Sequence, residues 1–249
     1  MIALLNEFDI YVNLYNMDDS KIKLKYNHSY RVMDLCRQIA ESIGMNNEDV
    51  KLAMIIGLLH DYARFEQWAT YKTYSDLDSV DHGDLAVKLL FENNEIEKFN
   101  IDKKDYSVIY DAIKYHNKYQ YPENESERNN LFCKIIKDAD KLDIFYLLSI
   151  GEIKIINDES NITQIISDEF YKGNLLKQDQ KKTKSDIIVF YLAMIFDMNF
   201  KYSYKYLKQN KLLEGLFSFI NEKEKFKPYF NYVDKYMDEG RKEYVRKKI

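Results

Sequence analysis

The four histidines are the residues of this sequence best suited to chemistry. They are His28, His60, His82 and His116. Each falls on the apolar face of a predicted helix, so no histidine is left for a solvated surface. A single histidine in such a position is usually a hydrogen-bonded core residue, but four of four, with Asp61 directly after His60, favour metal ligands. A bound ion would offset the cost of burying imidazole and carboxylate groups together.

A second carboxylate is expected where polar residues interrupt an apolar helix at 137–141. Asp138 and Asp140 both have apolar residues one and two turns away on either side, so periodicity leaves both open. Four imidazoles and two carboxylates are too many ligands for one catalytic ion with an open position, so we predict two ions. Asp61 would bridge them. A water or hydroxide held between ions roughly 3.5 to 4 Å apart would then be the nucleophile.

The ligand types restrict the metal. Imidazole nitrogen and carboxylate oxygen suit Mn, Fe, Ni, Co or Zn, with Mg also compatible with the carboxylates. Cys36 and Cys133 lie 97 positions apart and match neither a zinc spacing nor a disulfide framework. Lone thiols fit a reducing cytoplasm.

Residues 1–10 contain Glu7 and Asp9 but no basic residue, unlike a signal peptide. The longest apolar run, 187–196, is far short of the roughly 20 residues of a membrane span. We therefore expect a cytoplasmic protein without membrane association.

The elements that position these residues are predicted to be helices. The chain has 249 residues, of which 46% are hydrophobic, with seven glycines and two prolines. So few glycines and prolines argue against an all-β fold and against a Gly-rich phosphate loop. We predict an all-α fold in which Asp81 caps one helix and Gly44 ends another. The predicted helices are 3–16, 27–43, 48–61, 82–93, 106–116 and 131–148, with a connector at 18–25 and loops at 62–80 and 121–130.

We predict two parts, a metal-binding domain at 1–150 whose core is about 25–150, and a helical extension at 151–249 packed on it. Helices are expected at 187–198, 201–209, 212–222 and 229–248. Residues 201–249 carry 13 Lys and Arg against 7 Asp and Glu, and lysines alternate with aromatic rings, which is one pattern of nucleic-acid binding. A formal net charge of -4 and a pI near 5.7 favour amphipathic helices instead, so we expect no nucleic-acid partner.

The order of these residues resembles the HD superfamily of metal-dependent phosphohydrolases, an all-helical family defined by the pattern H, HD, D. The resemblance covers about residues 25–150. The matching segments are His28-Ser29-Tyr30-Arg31-Val32, Leu58-Leu59-His60-Asp61-Tyr62-Ala63-Arg64-Phe65-Glu66, Asp81-His82-Gly83, Tyr115-His116-Asn117 and Ile136-Lys137-Asp138-Ala139-Asp140-Lys141-Leu142-Asp143.

The resemblance implies specific roles. The four core ligands are His28, His60, Asp61 and Asp140. The family's last aspartate lies in the sequence Ala-Asp-Lys/Arg-Leu, and this context selects Asp140 over Asp138. His82 and His116 correspond to the histidines of the subset that holds a second ion, in which Asp61 bridges. The Gly-Tyr-Pro motif of the cyclic-dinucleotide phosphodiesterases is absent from the sequence, so we do not expect that substrate.

The function implied is hydrolysis of a phosphomonoester or phosphodiester, with a nucleotide as the favoured substrate, by a metal-bound hydroxide. Arg64, three residues after Asp61, and Lys141 are candidates for binding the phosphate, because positive side chains neutralise the developing charge. Glu66 is the candidate general acid. The alternative interpretation is that Arg64 pairs with Glu66 and that Lys141 is solvated.

Two other functions remain open at this stage. The same six ligands are found in mixed-valent di-iron oxygenases of the superfamily, similar to inositol oxygenase. Ligand identity does not separate oxygenation from hydrolysis, because a ligand set constrains the metal more than the reaction. A nucleic-acid-binding or regulatory protein is the other. The favoured partner is a small phosphorylated substrate, and the oligomeric state is left open.

Overall fold

The computed structural model describes residues 1–119, 126–156 and 158–246, with side chains up to residue 238. All regular structure in these residues is helical, so the all-α prediction is confirmed. The chain forms two compact units, Met1–Asp140 and Lys141–Ile249. The sequence-based boundary at residue 150 and the packing of the extension on the core stay predictions.

The first unit contains the helices that carry all four histidines. They are α1 (Ile2–Val12), α2 (Ser20–Ser42), α3 (Asn47–Leu59), α4 (Arg64–Tyr71), α5 (His82–Val87), α6 (Tyr106–Tyr115) and the first part of α7 (Glu127–Ser149). Helix α5 continues into a π-helical turn, Lys88–Glu92. Short 3₁₀ turns lie at Asp76–Asp78, Glu95–Phe99 and Lys103–Asp105.

Helix α2 begins earlier than its apolar pattern indicates, so the predicted connector at 18–25 is wrong from residue 20 onward. The side chain of Asp19 accepts a hydrogen bond from the backbone N–H of Lys21 and caps the helix. Ile22 is the only buried side chain of the first turns, which is why the segment looks like a polar connector. As predicted, the helix stops before Gly44, whose φ of +75° favours glycine.

The predicted loop at 62–80 contains a helix, α4 (Arg64–Tyr71), and is wrong to that extent. Its first turn buries Phe65 and Gln67 completely, and the residue that caps its C-terminus, Lys72, is in the left-handed region. Eight residues give too short a pattern for periodicity to detect. The cap at α5 is confirmed, since Asp81 accepts a hydrogen bond from the backbone N–H of Asp84. Residues 121–125 of the predicted 121–130 loop lie outside the described residues.

The second unit is formed by the end of α7 and five further helices around their own core. They are α8 (Gln164–Tyr171), α9 (Lys184–Ala193), α10 (Lys201–Gln209), α11 (Leu212–Ser218) and α12 (Lys223–Arg246). The bounds predicted for α10 are confirmed, whereas α12 begins six residues before the prediction, and its predicted end at 248 lies outside the described residues. Among the helices of the described chain, none combines the length and the apolar character needed to cross a membrane.

Candidate metal centre

Three of the four histidines lie at helix ends. Helix α3 runs to Leu59, so that His60 occupies its C-terminal cap and Asp61 follows in the turn. His82 is the first residue of α5, and His116 caps the C-terminus of α6. His28 lies within α2. All four side chains are buried, and their ring nitrogens converge in the first unit.

The first pair of rings belongs to His28 and His60. Their Nε2 atoms are 3.1 Å apart. Oδ1 of Asp140 lies 3.1 Å from Nε2 of His28 and 3.7 Å from Nε2 of His60. The structure therefore brings Asp140 to this pair. Asp138, which periodicity left open as an alternative, is also completely buried, but it is Asp140 whose carboxylate reaches both rings.

The second pair belongs to His82 and His116, whose Nε2 atoms are 2.9 Å apart. Asp61 lies between the two pairs. Its Oδ1 is 3.5 Å from Nε2 of His82 and 3.8 Å from Nε2 of His116. Its Oδ2 is 3.4 Å from Nε2 of His28 and 3.6 Å from Nε2 of His60. Each oxygen of one buried carboxylate thus faces a different pair of imidazoles.

Hydrogen bonds on the far side of the rings determine which nitrogen carries the proton. Nδ1 of His60 donates to the carbonyl of Gly57 at 2.7 Å, and Nδ1 of His116 donates to that of Ile113 at 2.7 Å. Nδ1 of His82 donates to Oδ2 of Asp76 at 2.6 Å. In a neutral ring the other nitrogen, Nε2, then presents a lone pair. These three rings therefore present toward the centre the lone pair through which an imidazole binds a metal ion.

The donor set fits divalent ions. His82 and His116 face each other with two lone pairs at 2.9 Å, an arrangement that no hydrogen bond can satisfy when both protons are on Nδ1. Neighbouring ligand atoms about 2.1 Å from an octahedrally coordinated ion would be about 3.0 Å apart. The separations in both pairs, 2.9 and 3.1 Å, agree with that value.

The charges of the ligands also suit a cation. Burial alone would raise the pKa of Asp61, but the ammonium of Lys25 and the surrounding rings outweigh it and hold that pKa well below its usual value. Burial and the charge of Arg64 lower the pKa of His82 to about 3. Burial also lowers the pKa of His60. Anionic carboxylate and neutral imidazole are the forms that bind metal.

Two glycines allow the helices to come this close. A Cβ on Gly57 would lie 2.8 Å from the Cα of Met33, so α2 and α3 pack backbone to backbone beside the first pair of rings. A Cβ on Gly83 would lie 2.8 Å from the carbonyl oxygen of Lys114, so α5 and α6 are equally close beside the second pair.

Comparison with known proteins agrees with this geometry. Residues 26–144 match the family model described as HD domain. Residues 26–144 of the chain are therefore an HD domain. Members of this family are mostly metal-dependent hydrolases that bind divalent metals. No curated protein and no solved structure matches the chain significantly.

Within the HD domain, the structure brings Arg64 to the centre. Its Nε lies 3.4 Å from Oδ1 of Asp61, and its Nη1 donates to Oε1 of Gln67 at 2.6 Å and to the carbonyl of Tyr74 at 2.8 Å. The side chain is 12% exposed. Arg64 is therefore a largely buried group that faces the carboxylate of Asp61.

Glu66 is not brought to the centre. Its carboxylate accepts hydrogen bonds from the hydroxyls of Tyr15 and Thr70. It leaves α4 about 200° around the helix axis from Arg64, so the alternative Arg64–Glu66 ion pair is wrong. Its predicted role as general acid finds no support in these contacts.

Lys141 is the first residue of the second unit and is buried, so the alternative of a solvated lysine is wrong. Its Nζ donates to the carboxylate and the carbonyl of Asp197 in the same unit. The ammonium is therefore already paired. Its predicted role in binding substrate stays a prediction.

Three residues near the centre were not identified from the sequence. Nζ of Lys25 is 2.6 Å from Oδ2 of Asp61. Asp76 and the completely buried Gln67 form the hydrogen-bonded surroundings of His82 and Arg64. Lys25 lies three residues before His28, and this helical spacing would have revealed it had α2 been extended to its cap. No periodic signal marks Asp76, because it lies in a 3₁₀ turn.

Proposed function

We propose that the HD domain holds two divalent ions and hydrolyses a phosphomonoester or phosphodiester, with nucleotides as the favoured substrate class. The observation that carries the proposal is the position of Asp61. One buried carboxylate faces His28 and His60 with one oxygen and His82 and His116 with the other. Such a carboxylate suits a bridge between two ions.

The protein side chains would divide between the two positions. His28, His60 and Asp140 would hold one ion with Oδ2 of Asp61, and His82 and His116 would hold the other with Oδ1. When bound, the ions would lower the pKa of water and neutralise charge on phosphate oxygens. Five of the six ligands are buried, and the low local dielectric strengthens their electrostatic interactions, whereas the side chain of Asp140 is 20% exposed.

Two cationic side chains flank the bridging carboxylate. Lys25 contacts Oδ2 of Asp61 and Arg64 approaches Oδ1. Both lie near the ring of Tyr74, with Nζ of Lys25 5.5 Å and Cζ of Arg64 5.6 Å from its centroid. Within the described residues, the buried Nε of Arg64 has no hydrogen-bond partner, although Oδ1 of Asp61 lies 3.4 Å away. Its N–H could therefore donate to a phosphate oxygen held beside that carboxylate.

The balance of charge supports an anionic substrate. Around the centre, Lys25 and Arg64 offset two of the three carboxylates of Asp61, Asp140 and Asp76. Two divalent ions would then leave a net positive charge, which a phosphate ester can neutralise. The proposal leaves out Glu66, because its carboxylate is engaged with Tyr15 and Thr70.

The test is a screen of the protein reconstituted with Mn²⁺, Fe²⁺, Co²⁺, Ni²⁺, Zn²⁺ or Mg²⁺ against nucleoside monophosphates, other phosphomonoesters and phosphodiesters, with release of phosphate or alcohol measured. We expect metal-dependent turnover that chelation abolishes and that Asp61→Ala removes. Asp78→Ala is the matched control, because Asp78 is an exposed aspartate of the same domain. Oxygen uptake coupled to substrate loss in the iron-loaded protein, without hydrolysis, would instead indicate an oxygenase.

A further inference from the structure

Asp76 accepts hydrogen bonds from four side chains although it lies in a short 3₁₀ turn, Asp76–Asp78, between α4 and α5. Its side chain is 28% exposed. The donors are His82 Nδ1 at 2.6 Å, Arg64 Nη1 at 3.1 Å, Gln67 Nε2 at 3.0 Å and Asn117 Nδ2 at 3.2 Å. Because His82 and Asn117 bond to Oδ2 and Arg64 and Gln67 bond to Oδ1, the two oxygens serve different groups.

The Oδ2 side distinguishes His82 from two other rings of the centre. His60 and His116 donate their Nδ1 protons to backbone carbonyls, whereas His82 donates to a carboxylate. A carboxylate partner fixes the tautomer and also increases the electron density at Nε2. The ligand strength of His82 therefore depends on Asp76.

The Oδ1 side involves Arg64 and Gln67. Gln67 is completely buried, and its Oε1 accepts from Nη1 of Arg64 at 2.6 Å. Its Nε2 also donates to Oγ of Ser79 at 2.9 Å and to the carbonyl of Val80 at 3.0 Å. The buried amide thus holds both the turn that carries Asp76 and the guanidinium that approaches Asp61.

We propose that Asp76 is a positioning residue that orients His82 and Arg64 together, so that the second metal position and the phosphate-binding arginine are built by one carboxylate. This inference rests on the proposed function, in which His82 is a ligand of the second ion. Asp76 itself ligates no ion in this scheme. It acts through the ring of His82 and the guanidinium of Arg64.

The isosteric variant Asp76→Asn separates the two sides of the carboxylate. All the groups around Asp76 are donors, so an asparagine must turn its NH₂ toward either His82 or the Arg64–Gln67 pair. If the NH₂ group faces His82, it donates to Nδ1 and shifts the ring proton to Nε2, which then cannot bind a metal ion. If the NH₂ group faces Arg64, the guanidinium loses its acceptor, and His82 donates to a neutral amide oxygen instead of a carboxylate.

The experiment is equilibrium dialysis of the purified full chain against Mn²⁺, with metal content measured per chain and thermal unfolding of the metal-free protein as the folding control. In Asp76→Asn we expect the second ion to bind about 10- to 100-fold more weakly, with the first ion unchanged. Asp78→Asn, in the same turn but exposed, is the matched control and should bind both ions as the wild type does. The double variant Asp76→Asn/His82→Ala should bind no less metal than His82→Ala alone.

Three results would overturn the inference. Wild-type affinity for both ions in Asp76→Asn would show that His82 does not depend on the carboxylate. Equal weakening of both ions, or weakening in Asp78→Asn, would show a general structural role. If the wild type itself binds a single ion and Asp76→Asn binds it equally well, the dinuclear centre of the proposed function fails and the role of Asp76 fails with it.

Discussion

Replacing Gly57 with alanine perturbs the contact that brings the first pair of histidines together. The added methyl would lie 2.8 Å from the Cα of Met33 and 2.9 Å from both Sγ of Cys36 and the carbonyl oxygen of Val32. Carbon atoms in contact are normally about 3.5 to 4.0 Å apart. Two of the three neighbours are backbone atoms, so α2 and α3 must separate by roughly 0.5 to 1 Å.

Two opposing effects determine the change in stability. Alanine is favoured over glycine in a helix interior by about 1 kcal/mol. Overpacking a well-packed core costs about 1 to 3 kcal/mol. We therefore expect Gly57→Ala to lower the free energy of unfolding by about 0 to 2 kcal/mol, and to weaken metal binding by about tenfold or more because His28 and His60 lie on the helices that separate.

The assay combines denaturant unfolding of the metal-free protein with Mn²⁺ titration. Gly215→Ala is the matched control, because its Cβ would lie 2.7 Å from the Cβ of Ser149 in the second unit, which contains no histidine. The control should lose stability and keep its metal affinity. If Gly57→Ala gained about 1 kcal/mol, as helix propensity alone gives, and kept its metal affinity, the close approach of α2 and α3 would be refuted.

Three further predictions concern the charges and thiols of the domain. Lys25→Met should strengthen metal binding by roughly tenfold, because the ammonium of Lys25, 2.6 Å from Asp61, competes with the ions. The same change should weaken competitive inhibition of the proposed hydrolase activity by orthophosphate. Lys23→Met, at an exposed position of the same helix, should change neither metal affinity nor inhibition. Burial raises the pKa of Cys133 to about 12 and that of Cys36 well above its usual value, so at pH 8 only about 1 in 10⁴ of the Cys133 thiol is ionised. Both cysteines should therefore resist a disulfide thiol reagent in the native protein and react on denaturation, and rapid native labelling would contradict their burial. Chelation should lower the thermal midpoint of the metal-loaded wild type, since ions that bind only the folded state stabilise it, and an unchanged midpoint would mean that no ion was bound.

The sequence was sufficient for the features that depend on helical periodicity. Placing His28 and His82 on apolar faces needed only the spacing of the residues around them, and the cap at Asp81 needed only its residue type and position. The opening turns of α2 were missed because a helix that buries only Ile22 has no apolar stripe in that region. Lys25 lies in those turns and was missed for the same reason.

The surroundings of the ligands depend on contacts that no local pattern records. Asp76 is 6 residues from His82 and 41 from Asn117, and it meets both only because a turn without periodicity folds back on α5 and α6. The choice between Asp138 and Asp140 likewise required either the family resemblance or the coordinates. Glu66 was misplaced because adjacency to the motif in sequence says little about direction around a helix.

Whether Asp61 joins two metal positions can be measured as the metal content per chain. The protein is reconstituted with excess Mn²⁺, freed of loosely bound metal by gel filtration, and compared with Asp61→Ala by elemental analysis. We expect two ions per wild-type chain and loss of both in the variant, because one carboxylate faces both pairs of rings. A single ion or none in the wild type, or two ions retained without Asp61, would contradict it.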